Sequence, residues 1–105
     1  MAINKIVSNL GEAVSKLPLS VKKDVAGTMS GQVSFNDAME KAKPVSMEEI
    51  DKTGVLLPET RRWLRGATIK MIRPRFADNY AQTRSNVSVI VTFPNRRNFY
   101  TTATW

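Results

Sequence analysis

Ile3, Val7, Leu10, Val14 and Leu17 recur at spacings of 4, 3, 4 and 3 along the start of the chain. That period is the apolar stripe of an amphipathic helix. Ile6 and Ala13 widen the stripe, while Asn4, Lys5, Ser8, Glu12 and Lys16 fall elsewhere on the wheel. Gly11 weakens the helix by about 1 kcal/mol relative to alanine. Pro18 stops it, because proline lacks a backbone N–H and its ring clashes with the preceding turn. The stripe has two main readings: it packs on the chain's own domain, or it buries against another chain. A membrane-surface helix would carry a polar face dominated by positive charge, and this face is mixed in sign.

The pattern then shortens. Ser20 is a candidate cap for a second helix with Val21, Val25 and Met29 on one side, limited by Gly27, Ser30 and Gly31. Ser34 opens a third helix through Ala38, Met39 and Ala42, ended by Pro44. Ser46-Met47-Glu48-Glu49 has the spacing of a capping box, and Gly54 closes the short helix that follows. Pro58 suits a first helical position, with Arg61, Arg62, Trp63, Leu64 and Arg65 behind it and Gly66 at the end. Helices this short do not stand alone in water, so they need a sheet or a partner to lie on.

From residue 67 the period changes to two. Ile69, Met71 and Arg73 alternate with Thr68, Lys70 and Ile72 up to Pro74, which predicts a possible strand over 67–73. Residues 75–86 read as a long loop. Val87, Val89, Val91 and Phe93 point one way and Ser88, Ile90 and Thr92 the other, the clearest strand in the chain. Pro94-Asn95-Arg96-Arg97 reads as a turn, and Asn98 to Trp105 as a second strand with Phe99, Thr101, Ala103 and Trp105 on one face. The expected fold class is α+β. N-terminal amphipathic and short helices (1–66) are followed by a β-rich segment (67–105), a C-terminal antiparallel hairpin or small sheet, and together they make one small domain.

Composition narrows the chemistry. The chain has 105 residues and contains no Cys and no His. Disulfides, thiol catalysis, the common zinc sites and imidazole acid–base chemistry are therefore excluded. No apolar run approaches the ~20 residues a membrane helix needs. The N-terminus shows no secretory pattern, which makes the Asn86-Val87-Ser88 sequon a coincidence and a cytoplasmic setting the default expectation. Glu48, Glu49 and Asp51 cluster in sequence, but acids at that place favour a helix N-terminus through its dipole. No phosphate loop or dinucleotide fingerprint is present. The expectation is a protein that is not an enzyme, with no cofactor, no metal and no small-molecule substrate.

Charge sharpens the picture. The net +7 lies wholly in residues 53–105, which hold eight arginines, Lys70 and only Glu59 and Asp78 as acids. Arg61, Arg62, Arg65, Arg73, Arg75, Arg84, Arg96 and Arg97 are the candidate residues for an anionic partner. Arg61 and Arg65, four apart, would share a helix face, with Trp63 turned inward. Three readings compete: phosphate binding, an interface to acidic protein patches, and a solvated basic face. Recognisable nucleic-acid modules are missing. Residues 98–105 carry no charged side chain, and such a strand at a free sheet edge invites aggregation. Its cover is expected from a neighbouring chain or from the strand at 67–73. Candidate protein-interface residues are Ile3, Val7, Leu10, Val14, Leu17, Phe99, Tyr100 and Trp105.

In overall style the chain resembles the small structural proteins of bacteriophage particles, of the tail, baseplate and neck type. The likeness rests on the helical N-terminal part, the Arg-rich middle, the Thr- and aromatic-rich hairpin and the lack of reactive side chains, with no diagnostic motif. It implies an assembly subunit in a virion, partnered by other protein subunits and oligomeric. The competing expectations are a small basic nucleic-acid-binding protein and a regulator that sequesters an acidic protein.

Overall fold

The computed structural model describes residues 3–29, 33–74 and 86–105. The elements are α1 (Ile3–Ser15), α2 (Leu19–Val25), β1 (Gly27–Met29), α3 (Phe35–Lys41), α4 (Met47–Lys52), α5 (Pro58–Trp63), β2 (Thr68–Pro74), β3 (Asn86–Phe93) and β4 (Arg96–Thr104). The strands form one mixed sheet in the order β1-β2-β3-β4. β1 runs parallel to β2, and the other two pairings are antiparallel. The α+β class expected from the pattern is what the chain adopts, helices in the N-terminal half and most of the sheet in the C-terminal half.

The period-two strands sort their side chains as the sequence requires. Val87, Val89, Val91 and Phe93 are buried on one face with Ile69 and Met71, under Leu10, Ala13 and Val14 of α1, Ile50 of α4 and Leu64. Burying a Leu or Val side chain fully contributes roughly 1.5–3 kcal/mol, so this cluster dominates stability. The reverse face is closed at one end. There Ile72 and Ile90 pack against Ala38 and Ala42, brought by α3. Lys70 reaches the same helix, its Nζ donating to the Met39 carbonyl at 2.9 Å.

Several local expectations are corrected. α2 starts after Pro18, not Ser20, because the rigid proline backbone already supplies the non-helical entry. Gly27–Met29, expected to be the tail of that helix, is a strand paired with Ile72–Pro74, and it lies inside the segment expected to be helical. Ser34 caps α3 as expected, its hydroxyl accepting the Asp37 N–H at 3.2 Å. Ser46 precedes α4 with extended backbone but makes no capping hydrogen bond, and Glu49 lies 3.6 Å from Lys52 instead. Gly54 and Gly66 take positive φ and end the α4 and α5 turns, a backbone that side chains resist. The hairpin turn is only Pro94-Asn95, so Arg96 and Arg97 belong to β4. Neither turn residue has positive φ, so the turn lacks the mirror-type twist that suits tight hairpins. An extra residue in β4 between the partners of Phe93 and Val91 takes up the mismatch as a bulge. The loop expected over 75–86 lies outside the described residues except at Asn86, which opens β3.

β4 is an edge strand, since β2 pairs with β3 rather than with it. At its C-terminal end the cover comes from the same chain. The Thr104 N–H donates to Ser15 Oγ at 2.8 Å. Lys22 Nζ donates to the Thr104 carbonyl at 3.0 Å and to the Ser15 carbonyl at 2.9 Å. Gly11 faces the Thr102 carbonyl so closely that a Cβ there would lie under 3.0 Å from its oxygen. Asn9 anchors α1 on its other side. Its Nδ2 donates to the Val55 carbonyl at 3.1 Å and its Oδ1 accepts the Leu57 N–H at 3.0 Å.

Candidate functional site

The arginines of α5 are placed by the aromatic residue among them. Trp63 is half-buried and meets Phe93 at 4.9 Å and Phe99 at 5.0 Å between ring centroids, both edge-on. Phe93 and Phe99 are themselves 5.8 Å apart and perpendicular. Edge-to-face pairs contribute about 0.5–1.5 kcal/mol beyond their buried area. The trio fastens the end of α5 to the hairpin tip. Trp63 is thus turned inward, as the sequence predicts.

The hairpin arginines lie on that trio. The Arg96 guanidinium sits 3.9 Å from the Phe93 centroid and 5.6 Å from that of Trp63, and donates to the Trp63 carbonyl at 3.4 Å. Arg97 lies 5.0 Å over Phe99. Exposed cation–π contacts are worth about 0.5–1 kcal/mol, enough to bias a long side chain toward one orientation. On α5, Arg61 Nε reaches Asp51 Oδ2 at 3.0 Å. Arg62 and Arg65 are exposed and make no ion pair among the described residues. Arginines from two distant stretches are therefore joined where α5 meets the hairpin tip.

The expected face-sharing of Arg61 and Arg65 does not arise by helical spacing. α5 ends at Trp63, and Arg65 lies in the turn beyond it. Arg61, Arg62 and Arg65 instead border one groove of about 720 Å³, together with Met47, Pro58, Leu64, Gly66 and Ala67. Met47, Leu64 and Ala67 were absent from the expected site. No period links them, and only the placement of α4 near α5, where Asp51 meets Arg61, brings them together.

The remaining candidates scatter. Leu10, Val14 and Leu17 are spent in the chain's own core, so they offer nothing to a neighbour. Val7 is half-buried and Ile3 exposed. Phe99 serves the aromatic trio. Tyr100 is 60% exposed on the opposite sheet face, and Trp105 is half-buried beneath Arg73, whose guanidinium is 4.0 Å from its ring. Arg73 stands at the far end of β2 from the hairpin tip. Arg75 and Arg84 lie outside the described residues. Of the acidic trio, Asp51 faces Arg61 and Glu49 faces Lys52, and no group of three carboxylates among the described residues is arranged to hold a metal. No described helix is long and apolar enough to cross a membrane.

Thr60 lies beneath the arginines, fully buried, and its hydroxyl has no hydrogen-bond partner among the described residues. A buried polar group without a partner costs free energy. Thr60→Val keeps the shape and removes the hydroxyl. It is expected to raise stability by about 1 kcal/mol, read as a higher urea midpoint with an unchanged slope. A lower midpoint would show that the hydroxyl is satisfied. Comparison of the chain with known protein families, curated proteins and solved structures finds no match in any of the three.

Proposed function

We propose that this protein is a non-enzymatic assembly subunit that binds acidic surfaces of neighbouring proteins, in a multi-protein particle of the phage-virion kind that its sequence resembles. The observation that carries the reading is the basic pole: Arg96 and Arg97 lie over Trp63, Phe93 and Phe99, and Arg61, Arg62 and Arg65 border the groove next to Trp63 in sequence. Arginine beside aromatic residues is the composition favoured at protein interfaces. Stacking on rings holds Arg96 and Arg97 ready, so less side-chain freedom is lost when a partner arrives. The guanidinium fork suits carboxylates in pairs.

A nucleic-acid reading fits the charge less well at this pole. Trp63 and Phe99 are half-buried and Phe93 buried, packed edge to face against each other, so they present no open ring for a base to stack on. The test is co-purification from producing cells followed by gel filtration with nuclease treatment. A protein partner in fixed stoichiometry is expected, dissociating at high salt and lost in the triple variant Arg62→Ser/Arg65→Ser/Arg97→Ser. A nuclease-sensitive complex, or a monomer with no stoichiometric partner, would overturn the proposal.

A further inference from the structure

We infer that the groove between α4 and the α5–β2 turn takes a short acidic peptide segment through a large aliphatic anchor, so that the basic pole reads apolar side chains as well as charge. The inference rests on the reading of that pole as a surface for acidic protein partners, and it names the element of the partner that is bound. Three features on one site support it.

The first is size and shape. About 720 Å³ of open groove falls within the range of pockets that bury a ligand of several side chains. The second is its floor. Met47, Pro58 and Ala67 supply thioether and aliphatic surface over the buried Leu64, with no carboxylate among the lining residues. Methionine adapts its shape to varied apolar partners. The third is charge. Arg61, Arg62 and Arg65 border that floor, and Arg62 and Arg65 have no ion pair among the described residues. An occupant that fills this site must be apolar in the middle and anionic at its margins. A segment with Leu-like anchors flanked by Asp or Glu has that pattern, and an amphipathic helix laid in a groove is a common way to present it. A nucleic acid would leave the aliphatic floor unfilled, since no aromatic ring lines it for stacking.

The partition of roles follows. The arginines speed encounter and set orientation, while the floor supplies burial that holds the segment in place. Loss of an anchor and loss of flanking charge should therefore both weaken binding, but only loss of charge should change its dependence on salt.

The probe is a short fluorescein-labelled peptide of Glu and Gln with two Leu one helical turn apart, titrated by fluorescence anisotropy against the full chain. Replacing both Leu by Ser is expected to weaken binding at least tenfold with the salt slope kept, and replacing every Glu by Gln to weaken it at least tenfold with the slope lost. Methyl NMR signals of Met47 and Ala67 are expected to shift on addition of the Leu peptide and not of the Ser peptide. Ala67→Phe fills the groove at constant charge and should abolish the preference for Leu. Should that variant fail to fold, the methyl signals of the native chain decide the matter alone. Equal binding of the Leu and Ser peptides, abolished by Arg62→Ser/Arg65→Ser, would overturn the groove while leaving the acidic-partner reading intact. Binding of a single-stranded oligonucleotide or of anionic phospholipid vesicles, with no binding of any acidic peptide, would overturn both.

Discussion

Gly11→Ala is expected to destabilise the protein by about 2 kcal/mol, although alanine is the better helix former. Two terms of opposite sign meet here. The helix gains about 1 kcal/mol from losing a glycine in its interior. Against this, the new methyl group would sit under 3.0 Å from the Thr102 carbonyl oxygen, with the Thr101 side chain beside it. The obstacle is backbone in a paired strand and cannot swing aside as a side-chain end could. α1 would have to lift from β4, and overpacking of this kind costs about 3 kcal/mol. The hydrogen bond from the Thr104 N–H to Ser15 lies one turn further along the same helix and would lengthen too. Urea unfolding should show a lower midpoint at unchanged slope. Ser8→Ala, on the exposed side of α1, should do no harm. A Gly11→Ala protein as stable as the parent would mean that the helix does not lie against β4 in this way.

Lys22→Met is expected to cost about 3 kcal/mol and to make the protein prone to self-association. Lys22 is 95% buried, being only 5% exposed, and its ammonium spans two carbonyls, one at the end of α1 and one on the edge strand. Hydrogen bonds from a charged donor are worth about 1.5–3 kcal/mol each. Methionine recovers part of the cost of burying a charge, so the net loss is smaller than the sum of the two bonds. Both carbonyls would then lack this donor, and the Thr104 carbonyl would stand open on the edge of the sheet. Such an edge templates pairing with another copy. Light scattering at rising protein concentration should detect it, alongside a lower urea midpoint. A stable variant that stays monodisperse would show that the edge is protected by something other than this lysine.

The parts of the fold legible in the sequence are those where one physical pattern repeats. The unbroken alternation through residues 87–93 specifies β3, and the stripe of Ile3, Val7, Leu10 and Val14 specifies α1, which ends at Ser15, ahead of Leu17 and Pro18. β1 was not legible, because three residues are too few to show a period and its strand character comes from pairing with Ile72–Pro74. The Ser46 capping box failed for a related reason: side-chain caps compete with other partners, and Glu49 lies beside Lys52. The hairpin turn is shorter than polarity alone suggests: Arg96 and Arg97 have the polarity of turn residues, while the aromatic faces beneath them favour the strand. The arginines themselves were legible as a set, but not as a place. Arg96 joins Arg62 at one pole only because Trp63 packs on Phe93 and Phe99, and Arg73 is excluded from it by standing at the other end of β2.

α1 is fastened at both flanks. Ser15 holds it to the final residues of β4, and Asn9 ties it to the connection that leads into α5. A single thermal excursion of this helix would therefore unseal the sheet margin and slacken the connection into α5 in one event. Amide hydrogens of Leu57 and Thr104, far apart in the chain, should then exchange with deuterium at matching rates. The molecule would keep both its sealed sheet margin and the footing of α5, or lose both together.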